Sequence, residues 1–296
     1  MMVFRLPFLR LSLALAMSAT ALGAPLASAE ESYPEARRII SLGGTLTEIA
    51  YALGAGDRII AVDTTSLYPP EATSKPNVGY MRQLSAEGIL AQQPDLILAE
   101  QGAGPPDTIA ILKASAAPVV VIPTPPDVDS IGPKIRAVGA VLGKVAEADK
   151  LAIEVEGKLA ALKAEIATIQ GPRKKVLFAL SIANGRVMGA GSQTAAAAII
   201  ELAGGENAVK EMAGYKPISD EAIISAAPDV VVAMINGGGQ VTAEAAFALP
   251  ALATSPAATA NAFVSMDGLY LLGLGPRTPA AARELAARLY PDALKP

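Results

Sequence analysis

Leu84–Ala99 reads LSAEGILAQQPDLILA, and Ile218–Ala233, 134 residues further on, reads ISDEAIISAAPDVVVA. The two stretches share Ser85/Ser219, Glu87/Glu221, Ile89/Ile223, Pro94/Pro228, Asp95/Asp229 and Ala99/Ala233, six identities in 16 positions. Most other pairs match apolar with apolar or small with small. Each stretch spells a short helix capped by serine, a proline that stops it, and an apolar run without polar alternation. Such a run reads as a strand of a buried parallel sheet. Its recurrence at the same place in each half indicates a duplicated lobe.

Both halves continue this grammar outward. Arg37–Gly44 (RRIISLGG) predicts a buried strand and a glycine turn. Thr45–Leu53 predicts a helix, with Thr45 as N-cap, Glu48 completing a capping box, and Ile49, Tyr51 and Leu53 facing the core. Arg58–Val62 is a second strand and delivers the chain to Asp63–Pro70 (DTTSLYPP). The loop Gly102–Pro106, a helix near Asp107–Ala114, a strand at Pro118–Ile122 and a helix from Val128 to about Leu142 complete the first half. The second half predicts a strand at Arg173–Ser181, a glycine-rich loop at Asn184–Gly191 and a helix at Ala195–Leu202. Beyond the repeat come a glycine loop at Asn236–Gly239, a helix near Ala243–Ala248, a strand at Ala262–Met266 and a last helix from about Thr278 to Tyr290. Between the halves, Lys144–Gln170 runs without proline, roughly 40 Å at 1.5 Å per residue. Leu151, Val155, Leu159, Leu162 and Ile166 recur along it at spacings of three and four. The expected fold class is α/β: two sandwich-like α/β lobes with central, largely parallel sheets, joined by one long bridging helix. The expected segments are 30–143, 144–171 and 172–296.

The N-terminus reads as an address. Met1–Arg10 carries Arg5 and Arg10 and no acid, Leu11–Gly23 is apolar, and Ala27-Ser28-Ala29 supplies small residues for cleavage, so 1–29 is expected to be a secretory signal peptide. Its removal takes two of 24 basic residues and none of 28 acidic ones, leaving 22 − 28 = −6. That balance argues against nucleic acid and anionic membranes as partners. The chain has no Cys, which excludes a disulfide scaffold and an anchor attached through an N-terminal cysteine. An exported carrier in a periplasm is expected.

The chain resembles the class of periplasmic binding proteins that serve ABC importers of vitamin B12, siderophores and haem, and within it the haem-binding branch. The resemblance rests on IISLGGTLTEIAYALG, VDTTSLYP, NVGYMRQLSAEGILAQQPDLILA, AGPP, GYKPISDEAIISAAPDVVV and LLGLGPRTP, and it spans nearly all of the mature chain. The sheet-and-helix grammar is common to the class; TTSLYP, GYMRQLSAEG and GYKPIS are the specific segments. The resemblance implies a carrier that binds ferric haem between two lobes and hands it to an ABC permease dimer with its ATPase. The alternative on the same fold is a carrier for a ferric siderophore or cobalamin, against which stands the lack of Trp.

Ferric haem asks for an apolar slot, an axial donor, and cations or amides for two propionates. With no His and no Cys, tyrosine and methionine remain as donors. A hard phenolate suits Fe(III), a thioether the reduced metal. Of seven tyrosines, Tyr33 falls in the tail, Tyr51 on a helix face and Tyr290 in the last helix, leaving Tyr68, Tyr80, Tyr215 and Tyr270 on loops or element ends. The resemblance assigns the axial role to Tyr68; the residues alone also allow a Tyr-Pro anchor packed on its own lobe. A phenolate needs a nearby cation or the iron itself. Arg82 and Lys216, equivalent under the 134-residue offset, are the candidates, with Arg186 a third and Tyr215 a further ligand contact. Each basic residue also reads as a solvated surface charge. Arg277, after Gly-Pro, reads as a brace for its own turn. Met188 and Met234 are reserve donors. Glu87 and Glu221 correspond to the glutamates with which the family docks on arginines of the permease, though each also reads as a capping or solvated residue. No enzyme is expected: Ser-His and Cys-His chemistry is absent, and so are the phosphate-binding glycine motifs. Zinc or manganese transport would need imidazole.

Overall fold

Two sheets form around the two copies of the repeat. The computed structural model describes Met1, residues 31–235 and residues 241–294. The signal segment beyond Met1 and the loop expected at Asn236–Gly239 lie outside the described residues. In the first half, β1 (Ile39–Leu42) is followed by α1 (Gly44–Ala52), β2 (Ile59–Val62), α2 (Ala86–Leu90), β3 (Leu96–Glu100), α3 (Pro106–Lys113), β4 (Val119–Ile122) and α4 (Ile131–Leu142). The sheet order is β2-β1-β3-β4, parallel throughout. Helix α5 (Val145–Ile166) leads to the second half. There β5 (Lys175–Ala183), β6 (Arg186–Ala190), α6 (Ala195–Leu202), β7 (Glu206–Asn207) and β8 (Tyr215–Pro217) precede α7 (Asp220–Ala226) and β9 (Val230–Ile235). The short helices α8 (Ala243–Phe247), α9 (Pro250–Ala253) and α10 (Pro256–Thr259) follow, then β10 (Phe263–Asp267), α11 (Gly268–Leu272) and α12 (Thr278–Leu289). This sheet runs β10-β9-β5-β6-β8, with β7 on β5.

The chain is therefore α/β with two lobes, and the repeat is preserved down to its hydrogen bonds. Ser85 Oγ accepts from Gly88 N, and Ser219 Oγ from Ala222 N. Asp95, just before β3, accepts from the backbone N–H groups of Arg37 and Arg38 at the entry to β1. Asp229, just before β9, accepts from Lys175 N at the entry to β5. The conserved Pro-Asp thus stops a helix and ties the next strand to its parallel neighbour.

The second sheet departs from the expectation at Asn184–Gly191. Instead of a loop, Asn184 and Gly185 take φ of 51° and 73° and make a two-residue turn, so β6 returns antiparallel on β5. Asn-Gly between apolar runs is a strong hairpin signal because both residues accept positive φ. The second sheet is consequently mixed.

Helix α5 ends at Ile166, four residues short of the expected stretch. It buries Ala148, Ala152, Val155, Leu159 and Leu162 against α4 and α12. Arg136 of α4 grips Glu156 and Asp149 of α5, and Arg283 of α12 pairs with Glu165. One apolar cluster runs from Leu46 and Ile135 through Val155 to Phe178, Ile200 and Leu285, so the core is continuous through both lobes. Because Asp95 holds two backbone donors and Asp229 one, Asp95→Ala should lower the unfolding free energy by roughly 2 kcal/mol and Asp229→Ala by roughly 1 kcal/mol. Urea titration of the two variants checks both values; equal losses would contradict this reading of the repeat.

Candidate functional site

The start of α1 organises the region around Tyr68. Gly43 takes φ of 116°, a backbone that L side chains rarely adopt, and a Cβ there would run into Glu100. The expected N-cap at Thr45 does not form. Its backbone N–H donates to Glu100 Oε1 and its hydroxyl to Gly273 O, far along the chain. The capping work falls to acids at the ends of neighbouring strands, because the helix begins two residues earlier than the motif suggests. Gly43 N donates to Asp63 Oδ1 and Gly44 N to Thr65 Oγ1. Asp63 is 1% exposed and also accepts from Thr65 N, Thr65 Oγ1 and Ser66 Oγ. The hydroxyls of Ser41, Thr47 and Ser66 join the same network. The loop that carries Tyr68 is thus tied to α1 from beneath.

Burial pushes the Glu100 carboxyl up; the charge of Lys134 and the N–H groups of Thr45 and Leu46 oppose that. Burial likewise lowers Lys134, against the pull of Glu100. Lys134 Nζ donates to Leu274 O in the second lobe.

Tyr68 itself is 39% exposed. The Arg277 guanidinium carbon lies 3.6 Å from its ring centroid and 5.2 Å from that of Tyr270. Arg277 belongs to the second lobe, at the start of α12. Its Nε and Nη2 donate to Glu48 Oε2 at 3.0 and 2.8 Å, and its backbone N to Glu48 Oε1. Glu48 is therefore part of an interlobe ion pair and not of a capping box. Arg277 does more than brace its own turn: it is the cation nearest the Tyr68 ring. Sequence reading could not pair positions 229 apart, though a Glu buried on an otherwise apolar helix face was a signal.

The other expected residues fall at three places. Arg82 Nη1 lies 3.4 Å from Tyr80 Oη, and its charge reaches Tyr215 of the second lobe. Burial pushes the Tyr215 phenol up, opposed by hydrogen bonds with Ala196 N–H and the Thr194 side chain and by Arg82. Tyr215 is 39% exposed as a whole residue, and its oxygen sits at the start of α6. Lys216 is exposed, pairs with Gly189 across the sheet, and its side chain makes no hydrogen bond or ion pair among the described residues. As the next residue on β8 it leaves the strand on the face opposite Tyr215. Arg186 lines a groove with Pro217, Asp220 and Glu221, and no hydrogen bond or ion pair links it to Tyr68, Tyr80 or Tyr215. Met234 packs beside Gly268; Met188 lies on β6 opposite Pro217. Glu87 and Glu221 are exposed on the first turns of α2 and α7, and the Glu221 carboxyl is held below its usual range by its own backbone N–H and by Ser219. The structure thus gathers Tyr68, Tyr270, Arg277 and Glu48 at one place, Tyr80, Arg82 and Tyr215 at another, and Arg186 beside Glu221. Tyr51 keeps a buried hydroxyl with no hydrogen-bond partner. Among the described residues no helix is long and apolar enough to cross a membrane, and no acid cluster could hold a metal ion.

Residues 39–270 match the model of the periplasmic binding protein family, and the chain belongs to that family of ABC-importer substrate-binding proteins. It is similar to the periplasmic heme-binding protein RhuT from Roseiflexus sp. RS-1, at 38% identity and TM-score 0.81 over 87% of this chain and 99% of that one. The periplasmic heme-binding protein BhuT, solved in complex with two hemes, is 39% identical with TM-score 0.81 over the same shares. Among curated relatives, the vitamin B12-binding protein of Vibrio parahaemolyticus is 30% identical over 66% of this chain and 69% of its own length. Because buried Asp63 satisfies four donors, Asp63→Ala should cost about 3 kcal/mol. Urea unfolding reads that cost, and a loss below about 1 kcal/mol would show that the loop holds itself.

Proposed function

We propose that this protein captures ferric haem between its two lobes, with the Tyr68 phenolate as axial ligand, and delivers it in the periplasm to an ABC permease and its ATPase. The observation that carries the reading is Tyr68 beneath the Arg277 guanidinium at the lobe boundary, in a chain without His or Cys. A phenol in water ionises near pH 10. A ferric ion favours the phenolate, and a hard anionic oxygen matches Fe(III). Arg277, paired with Glu48, covers the face of the Tyr68 ring from the second lobe. The cation–π contact adds about 1 kcal/mol to its placement.

Tyr80 and Arg82 supply polar groups for propionates, with the Tyr215 ring beside them, while Lys216, on the opposite face of β8, has a weaker claim on the ligand. Arg186 has a weaker claim on the ligand, since it lies in the groove with Glu221. Glu87 and Glu221, exposed at equivalent places, serve as docking groups for basic residues of the permease. Binding is non-covalent and the ligand leaves unchanged, so the protein is a carrier and not an enzyme. The heme-binding relatives support this ligand; the vitamin B12-binding relatives supply the second reading, cobalamin on the same fold.

Titration of the purified protein with ferric haem, cyanocobalamin and a ferric siderophore separates the readings. Haem alone should give a saturable high-spin tyrosinate spectrum, and Tyr68→Phe should abolish it and weaken binding by at least about tenfold, or ~1.4 kcal/mol. Saturation by cobalamin with no response to haem would overturn the assignment. In a second experiment, replacing Glu87 and Glu221 together by Ala should stop uptake in cells while leaving the haem titration intact. Lost binding would instead place them in the ligand pocket.

A further inference from the structure

The pair formed by Glu48 and Arg277 is built with more care than a staple between lobes requires. Glu48 is 5% exposed and sits on α1, whose first turn is fixed by Asp63, Thr65 and Glu100. Both of its carboxylate oxygens are engaged by Arg277, one by the backbone N–H, the other by Nε and Nη2. That three-point grip sets the plane of the guanidinium. A free arginine carries about 2 kcal/mol of rotamer entropy, so an unheld side chain would spend little time in one orientation. The held face lies over Tyr68, and Nη1 has no acceptor among the described residues.

The seam around the pair is closely packed. A Cβ at Gly44 would meet Leu269 Cδ1 at 2.8 Å, and one at Gly275 would meet Thr45 Cγ2 at 3.1 Å. Thr45 Oγ1 donates to Gly273 O alongside. The segment that carries Arg277 is thus seated directly on the helix that carries Glu48.

From this geometry we infer that Glu48 is a positioning residue for ligand capture: it locks the Arg277 guanidinium over the Tyr68 ring, so that a donor from one lobe and a cation from the other form a single site. This rests on the reading of Tyr68 as the iron ligand. Glu48 touches neither ligand nor iron. It acts through Arg277, which leaves Nη1 free to donate to an anionic oxygen brought in with the cargo.

The experiment is a double-mutant cycle on the full chain with Glu48→Gln, Arg277→Met, their combination and the conservative Glu48→Asp. Ferric haem is the probe, its dissociation is followed by transfer to a haem scavenger, and urea unfolding of each variant is recorded alongside. Glu48→Gln and Arg277→Met should each speed dissociation by about tenfold, and the double variant by no more than Arg277→Met alone, because the two act as one unit. The spectrum of haem-loaded Glu48→Gln should match that of Arg277→Met, and Glu48→Asp should restore part of the wild-type rate. Multiplying effects in the double variant, or a lower urea midpoint with unchanged dissociation and spectrum, would overturn the proposal and leave Glu48 as a staple. The haem-free protein supplies an independent readout. The Tyr68 ring resonances, identified by their loss in Tyr68→Phe, should shift in Glu48→Gln; unshifted resonances also count against the proposal. If Tyr68→Phe leaves the haem spectrum untouched while those resonances still shift, the axial assignment fails and the positional link between Glu48 and Tyr68 stands. Should Glu48→Gln not fold, Glu48→Asp carries the same comparisons.

Discussion

The backbone N–H groups at the start of α1 lie away from water and must find acceptors, and much of the architecture follows from how they are satisfied. The helix supplies no cap of its own. Asp63 comes from the end of β2 and Glu100 from the end of β3, and those contacts fix where the two strands stop. Asp63 then shapes the loop leading to Tyr68. Glu100 attracts Lys134, which in turn holds a carbonyl of the second lobe. One turn further along the helix, Glu48 reaches Arg277. A local hydrogen-bonding deficit thus propagates into the placement of a tyrosine, the docking of a lobe and the orientation of a guanidinium.

Local grammar was legible in the sequence; long-range polar pairing was not. The repeated Ser, Pro and Asp positions told where helices and strands start because their effects are made within a few residues. The spacing of Val155, Leu159 and Leu162 on the bridging helix was equally local. Asn184-Gly185 could also have been read as a hairpin, since the signal lies in the two turn residues themselves. By contrast, Thr45 and Glu48 fit a capping box on spacing alone, and their actual partners, Gly273 and Arg277, lie more than 200 residues away. At the candidate site, the absence of His and Cys left tyrosine and methionine as candidate donors, and the family resemblance of the TTSLYP segment is what proposed Tyr68. The cation over its ring could not be read, because every arginine looks alike until the fold brings one to the ring.

A carrier must hold its cargo firmly and also release it. Here the seam beside Tyr68 is closed by buried charge and by closely packed glycines, while Arg82 and Tyr215 face each other through charge without a direct hydrogen bond between them. The continuous apolar core along α5 works in the same direction, since parting the lobes would expose packed surface at about 25 cal/mol per Å².

The seam also orders events in time. Its partners on the first lobe, Thr45, Glu48 and Lys134, are all made before residue 140, and its partners on the second lobe lie at Gly273, Leu274 and Arg277. A chain that leaves the ribosome N-terminus first therefore presents Tyr68 and its loop long before the cation that covers the ring exists. The first lobe can pair its own strands early, but the contact that completes the site is among the last to form.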